Sequence, residues 1–241
     1  VMGGQGTSGL ENAEQLRDVD VVLVPIGGGG LIAGVGGALR QLKPACRIIG
    51  VQAAGAASMA DSLRAGHILT LPEVHTVADG IQVKTPGEKT FAICREAVDE
   101  VVTVGEAEIA SAILTVLERQ KLMVEGAGAV GVAVAMYGEL DLGGKTVWAL
   151  LSGGHLDVTM LERIITRGLA REGRTVGFST VLPDRPRALA GLLGIVSELG
   201  ANVLEVSHER SSLKADLGST VVHLLVETRN RAHVDELFHA L

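Results

Sequence analysis

The chain has 241 residues, with 21 Lys+Arg against 28 Asp+Glu and a formal net charge of −7 at pH 7. That balance, with aromatics at only 2%, argues against a nucleic-acid binder, which needs a basic stripe or stacking platforms. At 47% hydrophobic residues and 32 glycines, the core is expected to be Val, Leu, Ile and Ala, with glycine at turns.

From Val19 to Ile26 the run VDVVLVPI is almost wholly apolar and ends in Gly27-Gly28-Gly29-Gly30. Such a run reads as a strand buried on both faces, as in a parallel sheet. LIAGVGGALRQL then reads as a helix despite its internal glycines, Pro44 punctuates it, and Arg47–Gln52 (RIIGVQ) is a second strand. Strand, glycine turn, helix and strand in this order form a βαβ unit. Ala53 to Thr103 is harder to read, with helices expected near Ser58–Ala65 and Pro86–Val98. Glu106 to Gln120 places Ile109, Ile113, Val116 and Leu117 on one helical stripe. Val124 to Leu140 opens with EGAGAVG and continues as an Ala/Val-rich helix. Lys145–Leu151 (KTVWALL) reads as a third buried strand, ends in Ser152-Gly153-Gly154, and is followed by a helix over Leu156–Ala170.

Arg171-Glu172-Gly173-Arg174 is a charged break, and the boundary is expected near residue 173, giving domains 1–173 and 174–241. Beyond it come a strand (Thr175–Leu182), a helix (Pro186–Leu199), two strands (Asn202–Arg210, Ser219–Glu227) and a helix (His233–Leu241). This βαββα order begins a small ferredoxin-like βαββαβ module whose closing strand would lie past Leu241. The fold class expected is therefore α/β, a parallel-sheet domain followed by this smaller one.

No stretch reaches the ~18 apolar residues of a membrane span, and Val1-Met2-Gly3-Gly4-Gln5 lacks a secretion-signal pattern. The two cysteines, Cys46 and Cys94, cannot make a disulfide framework and are expected as small buried residues. A cytoplasmic protein with no membrane or nucleic-acid partner is expected. His67, His75, His208, His223, His233 and His239 show no metal-ligand spacing and are read as surface or half-buried.

Gly27–Gly30 is the best local signal. Consecutive glycines between strand and helix let backbone N–H groups face an anion, and the helix N-terminus adds partial positive charge. Phosphate is the natural guest, and several readings compete. Gly28-Gly29-Gly30-Leu31-Ile32-Ala33 fits G-x-G-x-x-A, but the acidic residue a dinucleotide site wants after the next strand is Gln52. A mononucleotide P-loop lacks its Gly-Lys-Ser/Thr. A single phosphate monoester on a cofactor needs only the loop and the dipole, and close backbone packing needs no ligand at all.

Gly126-Ala127-Gly128-Ala129-Val130-Gly131 also spells G-x-G-x-x-G, but it follows a helical segment and reads as tight helix packing opened by Glu125. Ser152 at a strand's carboxyl end reads equally as a helix cap or a ligand contact. With Gly27–Gly30 on another strand end, a shared crevice is expected.

These pieces resemble the threonine dehydratase (threonine ammonia-lyase) branch of the pyridoxal-phosphate enzymes with the tryptophan-synthase-β-type fold (fold type II), of which serine racemase is a near relative. The matching stretches are GQGTSGLE (Gly4–Glu11), VPIGGGGLIAG (Val24–Gly34), ADGIQVKTPGEKTF (Ala78–Phe91), ERQKLMVEGAGAVGVA (Glu118–Ala133) and LLSGGHLD (Leu150–Asp157). LPDRPRALAGLLGIVSELGANVLEVSHER resembles an ACT domain, the amino-acid-sensing module often appended to this enzyme. The resemblance implies pyridoxal 5'-phosphate as cofactor, its phosphate held by Gly27, Gly28, Gly29, Gly30 and Leu31. Ser152, with Gly153, would meet the pyridine nitrogen; Gly80 would lie over the cofactor and Glu125 near its edge. The implied substrate is a small hydroxy amino acid, L-threonine or L-serine, converted to 2-oxobutanoate or pyruvate and ammonia. Alternatives are a serine racemase-like activity or a non-catalytic amino-acid-sensing protein. An oxidoreductase would require a nicotinamide site, which Gln52 disfavours.

Departures from the family pattern carry expectations of their own. The lysine that bonds the cofactor lies in the family in a Ser-Phe-Lys-type motif, and none of Lys43, Lys84, Lys89, Lys121, Lys145 and Lys214 has that context. The chain is thus expected to start inside the family's sequence, with no catalytic residue of its own and no turnover as it stands. Gln52, Ala56 and Ser58 stand at the relatives' cation site without its two carboxylates, so a strong divalent site is not expected. His155 replaces an Asn and reads as a capping or surface residue. Arg187 stands where effector-binding ACT domains have Gly, and would crowd a branched-chain amino-acid effector such as isoleucine or valine. Family members form dimers or tetramers, so a homo-oligomer is expected.

Overall fold

Val21–Pro25 (β1) is apolar and buried at all positions, which requires a strand covered on both faces of its sheet. In the computed structural model, which describes residues 1–16, 18–210 and 216–241, β1 is an inner strand. With Arg47–Ala53 (β2), Glu100–Val104 (β3) and Val147–Ala149 (β4) it forms a sheet of order β3-β2-β1-β4, parallel throughout. The chain divides into two compact units, Val1–Ile164 and Ile165–Leu241, a division nine residues before the expected boundary at 173.

Parallel neighbours demand crossovers, and helices supply them. Between β1 and β2 runs Gly30–Leu42 (α2), burying Ile32, Val35 and Leu39 against Val22, Val24 and Ile48. Ser58–Ala65 (α3) and Glu88–Ala97 (α4) precede β3, and both match the expected helices. Cys46 and Cys94 are buried free thiols, as expected. Burial pushes both thiols up, that of Cys94 to about 12. Glu106–Gln120 (α5) and Gly126–Tyr137 (α6) follow β3, and α6 is buried on nearly every side of its first turns. Val158–Arg171 (α7) spans the division between the units.

Two elements of this unit were not foreseen. Met2–Gln15 (α1) has no apolar stripe, yet it packs along α2 so closely that a β-carbon on Gly34 would meet the Met2 carbonyl oxygen at 2.4 Å. Gly34 inside α2 is thereby explained as a contact point for a second helix, whereas Gly36 faces Ile48 and Ala97 and Gly37 faces open space. β3 was the other, hidden in the stretch that was hard to read. One expectation needs correction: β4 is half-buried at each of its three residues rather than buried, because it is an edge strand of the sheet.

The second unit is antiparallel. Thr175–Pro183 (β5), Ala188–Glu198 (α8), Asn202–Glu209 (β6), Ser219–Glu227 (β7) and Arg231–Ala240 (α9) follow in the expected order, with sheet order β5-β7-β6. Val222, Leu224 and Val226 of β7 alternate into a core shared with Leu192 and Val196 of α8 and Leu237 of α9. Here too one histidine is corrected: His233 is buried, not surface or half-buried. Its Nδ1 accepts from the Arg229 backbone N–H at 3.1 Å, and its Nε2 faces the Leu199 carbonyl at 3.0 Å. Hydrogen bonds at both ring nitrogens let an imidazole replace an aliphatic core residue. Lys214 lies outside the described residues.

Among the described residues no helix is long and apolar enough to cross a membrane, and no group of His, Cys, Asp and Glu could hold a metal ion.

Candidate functional site

Because β1 and β4 run parallel and pair directly, whatever follows each strand emerges on the same rim of the sheet. After β1 the chain turns through Gly27–Gly30 into α2; after β4 it reaches Ser152 and Gly153. A cavity of about 260 Å³ opens between them, lined by Gly27, Gly28, Gly29, Gly30, Leu31, Gly80, Glu125, Ser152 and Gly153 together with Pro25, Ile81 and Ala127. All nine residues singled out from the sequence thus lie around one crevice. Pro25, Ile81 and Ala127 were not foreseen; they are apolar wall positions without a chemical signature of their own.

The glycine bend is shaped for close approach. Gly29 caps α2 in the left-handed region, at φ +89, and a β-carbon there would meet Met59 Cε at 2.7 Å. No acceptor among the described residues takes the backbone N–H of Gly27, Gly28 or Gly29. Unpaired amides at a helix N-terminus form an anion site, because both the N–H dipoles and the helix dipole favour negative charge there. Ser152 likewise spends its hydroxyl on no partner among the described residues.

Opposite the bend, Glu125 caps α6 and is locked to the turn after β4. Its N–H donates to the Gly153 carbonyl at 3.3 Å, and its Oε2 accepts from the His155 backbone N–H at 3.0 Å. Gly153 holds φ +80, and a β-carbon there would stand 2.5 Å from the Glu125 carboxyl; one on Gly80 would stand 2.8 Å from Glu125 Oε1. Both glycines make room for that carboxylate. Next to it, a β-carbon on Gly128 would strike the Ser152 carbonyl at 2.3 Å. The second G-x-G-x-x-G is therefore a packing surface that lets α6 reach the Ser152 turn. The imidazole of His155 is exposed and does not line the crevice.

Gln52 is fully buried and spent internally. Its Nε2 donates to the carbonyls of Ile26 and Ala56, and its Oε1 accepts from the Ala60 N–H at 2.8 Å. It is absent from the crevice lining, so it holds no ribose, and the Ala56 carbonyl is taken by an amide. Ser58 Oγ is buried without a partner among the described residues. Of the described lysines (Lys43, Lys84, Lys89, Lys121 and Lys145), none lines the crevice.

Backbone N–H groups without acceptors and an unpartnered hydroxyl thus share one rim of a parallel sheet, the edge at which open α/β sheets bind ligands. The chain belongs to the pyridoxal-phosphate dependent enzymes: residues 1–153 match that family's model. Over all 241 residues it is 50% identical to the L-threonine ammonia-lyase of Thermotoga maritima, and it covers 60% of that protein. The L-threonine ammonia-lyase of Geobacter sulfurreducens is 48% identical over 242 residues, again with 60% of its length covered. Among solved structures, the processed form of threonine deaminase isoform 2 from Solanum lycopersicum aligns with a TM-score of 0.66 at 41% identity, over 68% of this chain and 49% of that one. The chain thus spans about 60% of the length of the curated relatives it matches.

Proposed function

We propose that this chain forms the phosphate- and ring-binding side of a pyridoxal-phosphate-dependent L-threonine ammonia-lyase. The observation that carries the reading is the glycine bend, with its unpaired N–H groups, on the same rim and in the same cavity as the Ser152 hydroxyl. The residues fit the cofactor: a monoester phosphate meets the amides of Gly27–Gly30 and the first turn of α2 at Leu31. Ser152 would hydrogen-bond the ring nitrogen as a neutral partner, Gly80 would leave room beside the substrate, and Glu125 would border the ring edge. When bound, the cofactor supplies an electron sink that withdraws charge from the substrate's Cα. L-Threonine would lose its Cα proton and β-hydroxyl together as one water, and addition of water to the resulting enamine would give 2-oxobutanoate and ammonia; L-serine would give pyruvate. None of Lys43, Lys84, Lys89, Lys121 and Lys145 lines the crevice, so none of these five is assigned the covalent bond to the cofactor.

The second unit is read as an ACT-type module. In its support, β5-α8-β6-β7-α9 with sheet order β5-β7-β6 has the first, third and second strands of a βαββαβ unit side by side. The match to the two ammonia-lyases extends across it. Arg187, at φ +73 beside a cavity lined by Asp184, Arg185 and His208, obstructs a branched-chain effector at that loop. Self-association is part of this reading, and a monomer by light scattering at micromolar concentration would count against it.

The test is 2-oxobutanoate release from L-threonine by a chain in which these residues follow a segment bearing the cofactor lysine. Release that depends on added pyridoxal 5'-phosphate is expected. A chain that binds the cofactor yet releases neither 2-oxobutanoate from threonine nor pyruvate from serine overturns the reading.

A further inference from the structure

We propose that Thr90, which lines no part of the crevice, is a positioning residue that aims one N–H of the glycine bend at the cofactor phosphate. The inference rests on the cofactor reading above and adds a residue to it. Thr90 sits in the first turn of α4, 62 positions from its partner, and its Oγ1 donates to the Gly28 carbonyl at 2.5 Å. The same carbonyl accepts from the Gly87 N–H at 3.4 Å. A second acceptor, the Gly87 carbonyl, lies 2.9 Å from the Thr90 hydroxyl, so its single proton has a shorter and a longer choice, and Gly28 is the shorter.

The consequence follows from peptide geometry. The Gly28–Gly29 peptide is trans, as are all peptides among the described residues, so the Gly28 carbonyl and the Gly29 N–H point in opposite directions from one rigid plane. Drawing the carbonyl toward the start of α4 turns the Gly29 N–H away from α4. That N–H has no acceptor among the described residues, whereas Gly28, Gly29 and Gly30 line the crevice and Thr90 and Gly87 do not. Thr90 also packs beneath the bend: a β-carbon on Gly29 would stand 2.9 Å from Thr90 Cβ. A four-glycine segment has more backbone freedom than any other sequence, so one external hydrogen bond that fixes its orientation preorganises the anion site.

The experiment measures binding of pyridoxine 5'-phosphate and of pyridoxine to this chain and to its Thr90→Val and Thr90→Ser variants. Neither probe has an aldehyde, so neither reacts with surface lysines, and their affinity ratio isolates the phosphate. Thr90→Val is expected to lose about tenfold in affinity for the phosphorylated probe and less than about twofold for pyridoxine, with Thr90→Ser close to the parent. An unchanged ratio in Thr90→Val, a parallel loss for both probes, or an equal loss in Thr90→Ser overturns the role of Thr90 alone. A parent chain that does not distinguish the two probes overturns the cofactor reading and the role of Thr90 with it. The parent supplies a second readout that survives misfolding of any variant. Its Gly29 amide proton resonance should shift with pyridoxine 5'-phosphate and not with pyridoxine, and a resonance indifferent to both overturns the proposal.

Discussion

Many glycines of the first unit are pressed against neighbours, whereas those of the second mostly face open space. A β-carbon on Gly128 would strike the Ser152 carbonyl and one on Gly126 the Val77 carbonyl, at 2.3 and 2.7 Å. In α8, by contrast, neither Gly191 nor Gly194 has anything within 4 Å of that position, and Gly200 and Gly218 are equally open. Gly173, crowded by Arg231, is an exception in the second unit. The strands differ in the same sense: β1 is buried at every residue, while β7 buries Val222, Leu224 and Val226 and exposes His223, Leu225 and Glu227 between them. One residue type therefore does two jobs. Near the crevice close approach demands glycine at Gly29, Gly80, Gly126, Gly128 and Gly153, whereas in the second unit left-handed backbone demands it at Gly173, Gly200 and Gly218, and Gly191 and Gly194 of α8 are tolerated weaknesses.

That contrast predicts opposite signs for the same chemical change. Gly128→Ala should be the most damaging: the Ser152 carbonyl cannot yield without moving the crevice wall, at a cost of about 3 kcal/mol in chemical denaturation. Gly153→Ala should cost about 2 kcal/mol through its left-handed backbone and the adjacent Glu125 carboxyl, and should weaken pyridoxine 5'-phosphate binding as well. In the second unit left-handed backbone still favours glycine, and it is the open helical positions of α8 that reverse the sign. Arg187→Gly, replacing a side chain held at φ +73, should raise stability by about 1 kcal/mol, visible as a higher melting midpoint. Gly191→Ala, on an exposed helical turn of α8, should gain about 0.5 kcal/mol by the same measurement. A destabilised Gly191→Ala, or a neutral Gly128→Ala, would break the distinction between the two units.

The same distinction explains what could be read from sequence. The uninterrupted run of β1 and the glycines after it announced a buried parallel strand and its turn, and alternation in β7 announced a half-covered antiparallel one. Gly27–Gly30 and Ser152 were placed together by strand-end logic alone, but Gly80 and Glu125 entered only through the family resemblance, because loops carry no periodicity. α1 was invisible since its segment, rich in glycine and polar residues, becomes helical by lying against Gly34, a tertiary effect that no local pattern records. β4 was overestimated because an apolar run signals burial without saying which strand ends the sheet. His233 was misjudged because the two groups that satisfy its ring, at Arg229 and Leu199, include one 34 residues away. Thr90 escaped for the same reason, its partner being a backbone carbonyl distant in the chain.

Gln52 has a consequence that reaches beyond its own hydrogen bonds. It braces the carbonyl of Ile26, the last residue before the bend, from below with a group that neither gains nor loses a proton across the range in which carboxylates and imidazoles do. That brace is consequently indifferent to acidity, unlike the carboxylates that stand at its position in the relatives the sequence resembles.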